Sequence, residues 1–259
     1  MVFYSHLPNR KWLLTLLDFY EIPFVKYLMC YNKIYHELLK GNPMKNKLYI
    51  QFAGSLSLVL FAFLGYVIKF YPTWIASFDQ TITDWVRHLS PSRTSFFRWI
   101  TQFANPIPII LLVAAVTFVL IYGKRYTETI WLTGGFIVIS GIANPLLKLV
   151  FMRERPTIKH LVVEHSYSFP SGHATSSMVF YGALLLLLPI FIKHKPLLRT
   201  IQVLLGIFIL LIGISRIYLG VHFPSDILAG FALSLGWLLL TYPIFHEQRF
   251  IWRFKNKQL

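Results

Sequence analysis

Six stretches of this chain stay apolar over lengths that suit a helix crossing a hydrocarbon layer, and this constrains the fold before any motif is read. A bilayer core of roughly 30 Å takes about 20 helical residues. The stretches run from about Leu48 to Phe70, Ile107 to Tyr122, Thr129 to Val150, Ala174 to Ile192, Thr200 to Ser215 and Ile227 to Phe245. Periodicity does not separate helix from strand in such runs, but their length and their Leu and Ala content favour helices over barrel strands. Pro145 and Pro189 fall near span ends, where they are tolerated. The expected fold is therefore all-α, a polytopic membrane protein with six transmembrane helices. Composition agrees: 56% of the 259 residues are apolar and 14% charged, against roughly 25% charged in an average globular domain. A soluble chain of this make-up could not cover itself.

The charge that remains is one-sided, with 25 Lys and Arg against 10 Asp and Glu, a formal +15. These residues lie between apolar runs rather than along one polar face, which points to anionic lipid or phosphate and away from nucleic acid. Alternating the spans places sixteen basic residues on one side and eight on the other, with Lys69 at the boundary. By the positive-inside rule both termini are expected in the cytoplasm of a multi-pass cell-membrane protein. Five of the eight outer residues, Lys148, Arg153, Arg155, Lys159 and Arg216, gather after the third span and at the end of the fifth. Positive charge there opposes the topology rule and calls for another reason. The single cysteine, Cys30, excludes an internal disulfide and any Cys-rich zinc site or cluster.

Between the first two spans, Phe78, Ile82, Trp85, Val86 and Leu89 recur at helical spacing. They read as an outer helix, broken near Pro91, either anchored by its aromatics at headgroup level or covering the bundle. Residues 1–43 form a separate cytoplasmic segment, and 44–259 the membrane domain. Within the segment, Leu13, Leu16, Leu17, Tyr20, Phe24, Tyr27, Leu28, Tyr31, Tyr35 and Leu38 suit an inner-leaflet amphipathic helix interrupted near Pro23. Met44, followed by Lys45 and Lys47 and then the first span, equally reads as a natural start, with the preceding residues a miscalled extension.

Three polar clusters end or begin spans. Lys148 lies about one turn inside the third span, near enough to snorkel, with Arg155 and Pro156 following in the loop. Pro170, Ser171, Gly172 and His173 precede the fourth span. A Ser-Gly pair at a helix start offers a cap, free amides and the positive end of the dipole, which is a site for an anion, and His173 adds a titratable imidazole. Ser215, Arg216, His222 and Asp226 join the last two spans. The i,i+4 spacing of His222 and Asp226 lets a carboxylate hold one imidazole nitrogen and leave the other as base or nucleophile. Asp226 alone would also suit the first turn of a helix as a dipole partner.

Alternation of the spans puts all three clusters on one membrane face. Together they resemble the type 2 phosphatidic acid phosphatase family of integral membrane lipid phosphatases. Its signature, K-x6-R-P, then P-S-G-H, then S-R-x5-H-x3-D, is matched without a departure, and the likeness extends over roughly Leu48 to Phe245. The resemblance implies a metal-independent hydrolase with no cofactor. His222, oriented by Asp226, would form a phosphohistidine, and His173 would protonate the leaving oxygen. Lys148, Arg155, Arg216 and the Ser171 and Gly172 backbone donors would hold the phosphoryl oxygens. The substrate would be a membrane lipid phosphate met at the outer face. Undecaprenyl diphosphate is favoured, and phosphatidylglycerophosphate and phosphatidic acid are the alternatives. Glu154 is expected to partner the arginines and Glu164 to be a surface loop residue. The competing class is a transporter or scaffold that kept the fold and lost catalysis, but such a protein has no need of His173, His222 and Asp226 together.

Overall fold

The structure, a computed structural model, describes residues 46–254 apart from 89 and 90. The expected amphipathic helix within residues 1–43, and Leu89 of the outer helix, lie outside the described residues. The helices among the described residues are α1 (Lys47–Phe70), α2 (Pro72–Arg87), α3 (Thr94–Thr101, continued by a 3-10 turn over Gln102–Ala104), α4 (Pro106–Tyr122), α5 (Tyr126–Phe151), α6 (Gly172–Phe191), α7 (Lys195–Tyr218) and α8 (Pro224–Phe254). Among these, α1, α5, α6, α7 and α8 are long and apolar enough to cross a membrane. The sixth candidate is α4 taken with the segment Thr94–Ala104, from which it is bent by 49°.

Local chemistry explains the boundaries. Pro72, Pro106 and Pro224 open α2, α4 and α8, where the missing N–H has no intrahelical partner to lose. α7 runs past its apolar stretch at both ends because His194 Nδ1 accepts from the Leu197 amide at 3.4 Å and Arg216 is accommodated in the last turn. Its C-terminus is a Schellman motif: Gly220 N donates to Ile217 O at 3.0 Å and Val221 N to Arg216 O at 3.2 Å. The motif needs a left-handed residue, and Gly220 supplies it at φ 79°. In α5 the stretch Ile137–Ala143 is π-helical, a local widening that is frequent at functional sites.

α6 and α8 pack at the centre. Gly182 admits the Leu238 side chain, and Gly230 brings α8 against the Ser171 carbonyl, Ala174 and Thr175. Such small residues let helix backbones approach where lipid provides no hydrophobic drive between helices. The loop entering α6 is held by Phe169, which is fully buried, stacked at 5.9 Å on Phe61 and edge-on at 4.7 Å to Phe151. In contrast, Leu56, Val59 and Phe63 of α1 are more than half exposed.

The outer helix buries a polar side chain that its apolar spacing does not announce. α2 buries Asp79, Thr83 and Val86, and leaves Phe78 and Trp85 exposed. Within the apolar stripe Val86 faces in and the aromatics face out, and Asp79 faces in onto Arg153 and Ser225.

Candidate active site

The C-terminal ends of α5 and α7 meet the N-terminal ends of α6 and α8, and this meeting gathers all eight residues singled out from the sequence. At the end of α5, Met152 adopts the left-handed conformation at φ 48° and turns the chain out of the helix. Lys148 stays in the last turn and donates to the Tyr167 carbonyl. Arg155, three residues beyond the turn, gives its Nε to Ser166 O at 2.7 Å and one terminal nitrogen to Val221 O at 2.7 Å.

His222 follows directly from the Schellman turn. Its Nδ1 lies 3.3 Å from Asp226 Oδ2, and its Nε2 lies 3.4 Å from the Arg155 guanidinium. The imidazole is thus gripped on one nitrogen and turned toward a cation with the other. Asp226 is fully buried, and its Oδ2 also accepts from the Phe223 amide at 2.9 Å and from the Ser168 hydroxyl. Burial pushes the His222 imidazole down to about 3, with the Lys148 and Arg155 charges acting in the same direction and Asp226 opposing them. With its proton on Nδ1, toward Asp226, the ring turns its Nε2 lone pair to the Arg155 guanidinium.

At α6, Ser171 is the N-cap: its Oγ accepts from Ala174 N at 3.4 Å and its carbonyl from Thr175 N at 3.0 Å. One expectation fails here. The Ser171 amide does not face an anion, because it donates to the Asp226 carbonyl at 3.1 Å and so ties the start of α6 to the start of α8. Gly172 and His173, next in the first turn, supply the amides at the helix mouth. His173 Nε2 meets Asn105 Oδ1 at 2.7 Å. Arg216 is 1% exposed; it donates to Thr101 Oγ1 at 2.8 Å and pairs with Glu164, while its buried Nε has no partner among the described residues. A buried donor left open beside other cations suits an incoming oxyanion.

The expected roles of the two glutamates are exchanged. Glu164 pairs with Arg216 and, at 3.6 Å, with Arg155, whereas Glu154 is an exposed loop residue. Loop residues 152–171 fold back over the helix ends, so proximity in sequence to the arginines was a poor guide to contact.

A cavity of about 840 Å³ opens beside these groups. Lys148, Arg155, Glu164, Gly172 and His173 are among its charged and polar lining, and Ile107, Ile110 and Phe136 among its apolar lining. His222 is not part of the lining, but Arg155 is. The π-helical stretch of α5 contributes Ser140 and Gly141 to the same cavity. A phosphoryl group beside the cations with an apolar chain along the apolar residues is the ligand that such a lining can hold.

Sequence reasoning missed Asn105, Ser168, Asp79 and Arg153 as partners of these groups. Arg153 sat in view two residues before Arg155. Asp79 carried a signal too, an acid on the face it shares with Thr83 and Val86 at i+4 and i+7.

Residues 129–250 match the PAP2 superfamily. The chain is 34% identical over 155 residues to phosphatidylglycerophosphatase B of Bacillus subtilis, covering 58% of this chain and 71% of that protein. It is 31% identical over 156 residues to undecaprenyl-diphosphatase BcrC of Bacillus subtilis, covering 57% and 74%. Among solved structures it resembles a transmembrane PAP2-type phosphatidylglycerolphosphate phosphatase from Bacillus subtilis, at TM-score 0.65 and 25% identity, over 76% of this chain and 96% of that one.

Proposed function

The chain belongs to the PAP2 superfamily and is a lipid phosphate phosphatase of the membrane, and from that premise we propose that His222 is its nucleophile, oriented by Asp226, with His173 serving the leaving group. The observation that carries this reading is the His222 ring itself, held at Nδ1 by a buried carboxylate and presenting Nε2 beside Arg155.

In the first step Nε2 attacks phosphorus, the bond from phosphorus to the lipid oxygen breaks, and that oxygen takes a proton from His173. The developing imidazolium is stabilised by Asp226. In the second step water attacks the phosphohistidine, its proton passes to His173, and the N–P bond breaks to release inorganic phosphate. Lys148, Arg155, Arg216 and the Gly172 and His173 amides hold the three equatorial oxygens, where charge shifts in the transition state. The three cations now bond the Tyr167, Ser166 and Val221 carbonyls, the Ser166 and Thr101 hydroxyls and Glu164, and an entering phosphoryl group would take over some of these donors.

Two substrates fit, each on its own support. A polyprenyl diphosphate brings more negative charge to three clustered cations, and BcrC is a relative that acts on one. Phosphatidylglycerophosphate is supported by the other relative and by the likeness in structure. Phosphate release from both lipids and from phosphatidic acid by purified protein decides between them. A higher kcat/KM on the diphosphate supports the first, and a preference for phosphatidylglycerophosphate the second.

The distribution of basic residues supports cytoplasmic termini and a site at the outer face. A cysteine placed near Lys159 should then be labelled in intact cells by an impermeant reagent; labelling only after lysis would reverse the orientation.

A further inference from the structure

Asp226 serves His222 through only one of its two oxygens, and what holds the other lies outside the signature motifs. Arg153 donates from one terminal nitrogen to Asp226 Oδ1 at 2.6 Å and to Ser225 Oγ at 2.8 Å. From the other it donates to Asp79 Oδ2 at 2.8 Å. Asp79 completes the ring by accepting from the Ser225 amide at 2.9 Å and the Ser225 hydroxyl at 2.7 Å. The guanidinium also lies 4.0 Å over the Phe223 ring, and the Phe223 amide donates to Asp226 Oδ2. Asp79 and Asp226 are buried and Arg153 is nearly so, with 15% of its side chain exposed.

We propose that Arg153 and Asp79 are positioning residues for the nucleophile, forming a charge-alternating chain Asp79, Arg153, Asp226, His222 that sets which carboxylate oxygen faces the imidazole and how much of its charge the imidazole receives. The proposal rests on His222 being the nucleophile. Two opposed requirements fall on Asp226. It must stay ionised and fixed, so that Nδ1 keeps its proton and Nε2 its lone pair, and a guanidinium on Oδ1 meets both needs. Yet a guanidinium with no other counter-charge would draw the carboxylate away from the imidazolium that forms during phosphoryl transfer. Asp79 answers that second need by sharing the guanidinium. Planar fork geometry is what allows one side chain to meet two carboxylates at once, so lysine is not an equivalent at position 153.

This gives α2 a purpose that its sequence pattern hid. The helix turns Asp79 inward, across 74 residues of chain, onto Arg153. Met152, left-handed between Lys148 and Arg153, separates two cations with different tasks: one stays in the helix facing the cavity, and the other leaves it for Asp226.

The test is a set of kinetic cycles on the full chain in detergent or vesicles, with phosphate release from a lipid phosphate. Arg153→Gln should lower kcat by about 10- to 100-fold, as a misplaced reacting group does, with KM changed by less than about twofold. Arg153→Lys should recover part of that loss, and Asp79→Asn should lower kcat less than Arg153→Gln. The decisive arm is Arg153→Gln in an Asp226→Asn background. If Arg153 acts through Asp226, the double variant is no slower than Asp226→Asn alone; independent effects that multiply overturn the proposal. A rise in KM with kcat unchanged also overturns it, since that would make Arg153 a ligand of the substrate. Should Arg153→Gln be poorly folded, Asp79→Asn crossed with Asp226→Asn gives the same reading. An active His222→Ala variant would instead remove the nucleophile reading itself, which the cycles do not address.

Discussion

The two kinds of helix in this protein are nearly equal in mean hydropathy and differ in where they face. In α6, 67% of the most apolar stretch is buried against protein, and in α8, 56%; in α1 and in α5 the share is 22%. Hydropathy does not register the difference, since all four are apolar enough to span. What marks the central pair is small and polar residues within the apolar run. Ser171, Thr175, Ser177 and Ser234 are fully buried in α6 and α8 or at their caps, and Ser234 donates to the Thr175 carbonyl at 3.0 Å. In lipid, hydroxyls that bond across helices hold a side against protein, whereas a lone one such as Ser55 of α1 can stay exposed by bonding the Gln51 carbonyl of its own helix. Polarity plays the part here that hydrophobicity plays in a soluble core.

The sharpest way to break that comparison is to add bulk to a glycine of the central pair. A Cβ at Gly230 would lie 2.9 Å from the Ser171 carbonyl and 3.0 Å from Ala174 Cβ, so the α6–α8 contact must open. Gly230→Val should cost about 1–3 kcal/mol, as overpacking does, and should lower both the thermal midpoint in detergent and the activity, because Ser171 caps the helix that carries His173. An unchanged midpoint would mean that the central pair is loosely packed.

Acid should act on the same centre to a smaller extent. His222 sits at about 3 in the folded protein, whereas its ordinary value is near 6.5. Below about pH 6.5 the unfolded chain binds a proton that the folded one refuses, so folded stability falls as the pH drops toward 3. His222→Gln should flatten that fall. Thermal midpoints measured between pH 7 and pH 5 in both proteins check the sign, and parallel curves would contradict the burial of a neutral ring.

Met152→Gly is expected to be gentle and of opposite sign. A left-handed non-glycine residue costs roughly 1–2 kcal/mol, and glycine removes that strain at the price of a freer unfolded chain. A midpoint raised by a degree or two, with activity retained, is the expected result; a loss would show that the Met152 side chain itself packs. Smallest of all is Gly206→Ala in α7, where nothing lies within 4 Å of the added carbon. It should raise stability by about 0.5 kcal/mol, the lower end of the helix preference of Ala over Gly.

How much could be read in advance follows the same division. Apolar runs disclosed the membrane-crossing helices because length is a property of the chain alone, and the ends shifted where caps such as His194 extended a helix into charged residues. The eight candidate residues could be named together because each lies in a short motif next to a helix end. Asp79 and Asn105 were not, since each acts on a partner far away in sequence, Arg153 and His173, and only the fold supplies that distance. The two glutamates were misassigned for the same reason. Ser171 was misread on the count of donors: its amide looked free as an isolated helix start and is satisfied by the start of another helix.

All of this turns on His222 carrying the phosphoryl group. Rapid mixing of the purified protein with a lipid phosphate, quenching in alkali where a phosphoramidate survives, and peptide mapping by mass spectrometry locate the covalent intermediate directly. The account predicts one phosphoryl group on the peptide containing His222, formed within the first turnover and absent from His222→Ala. A phosphoryl group on any other residue, or steady turnover by His222→Ala, would contradict it.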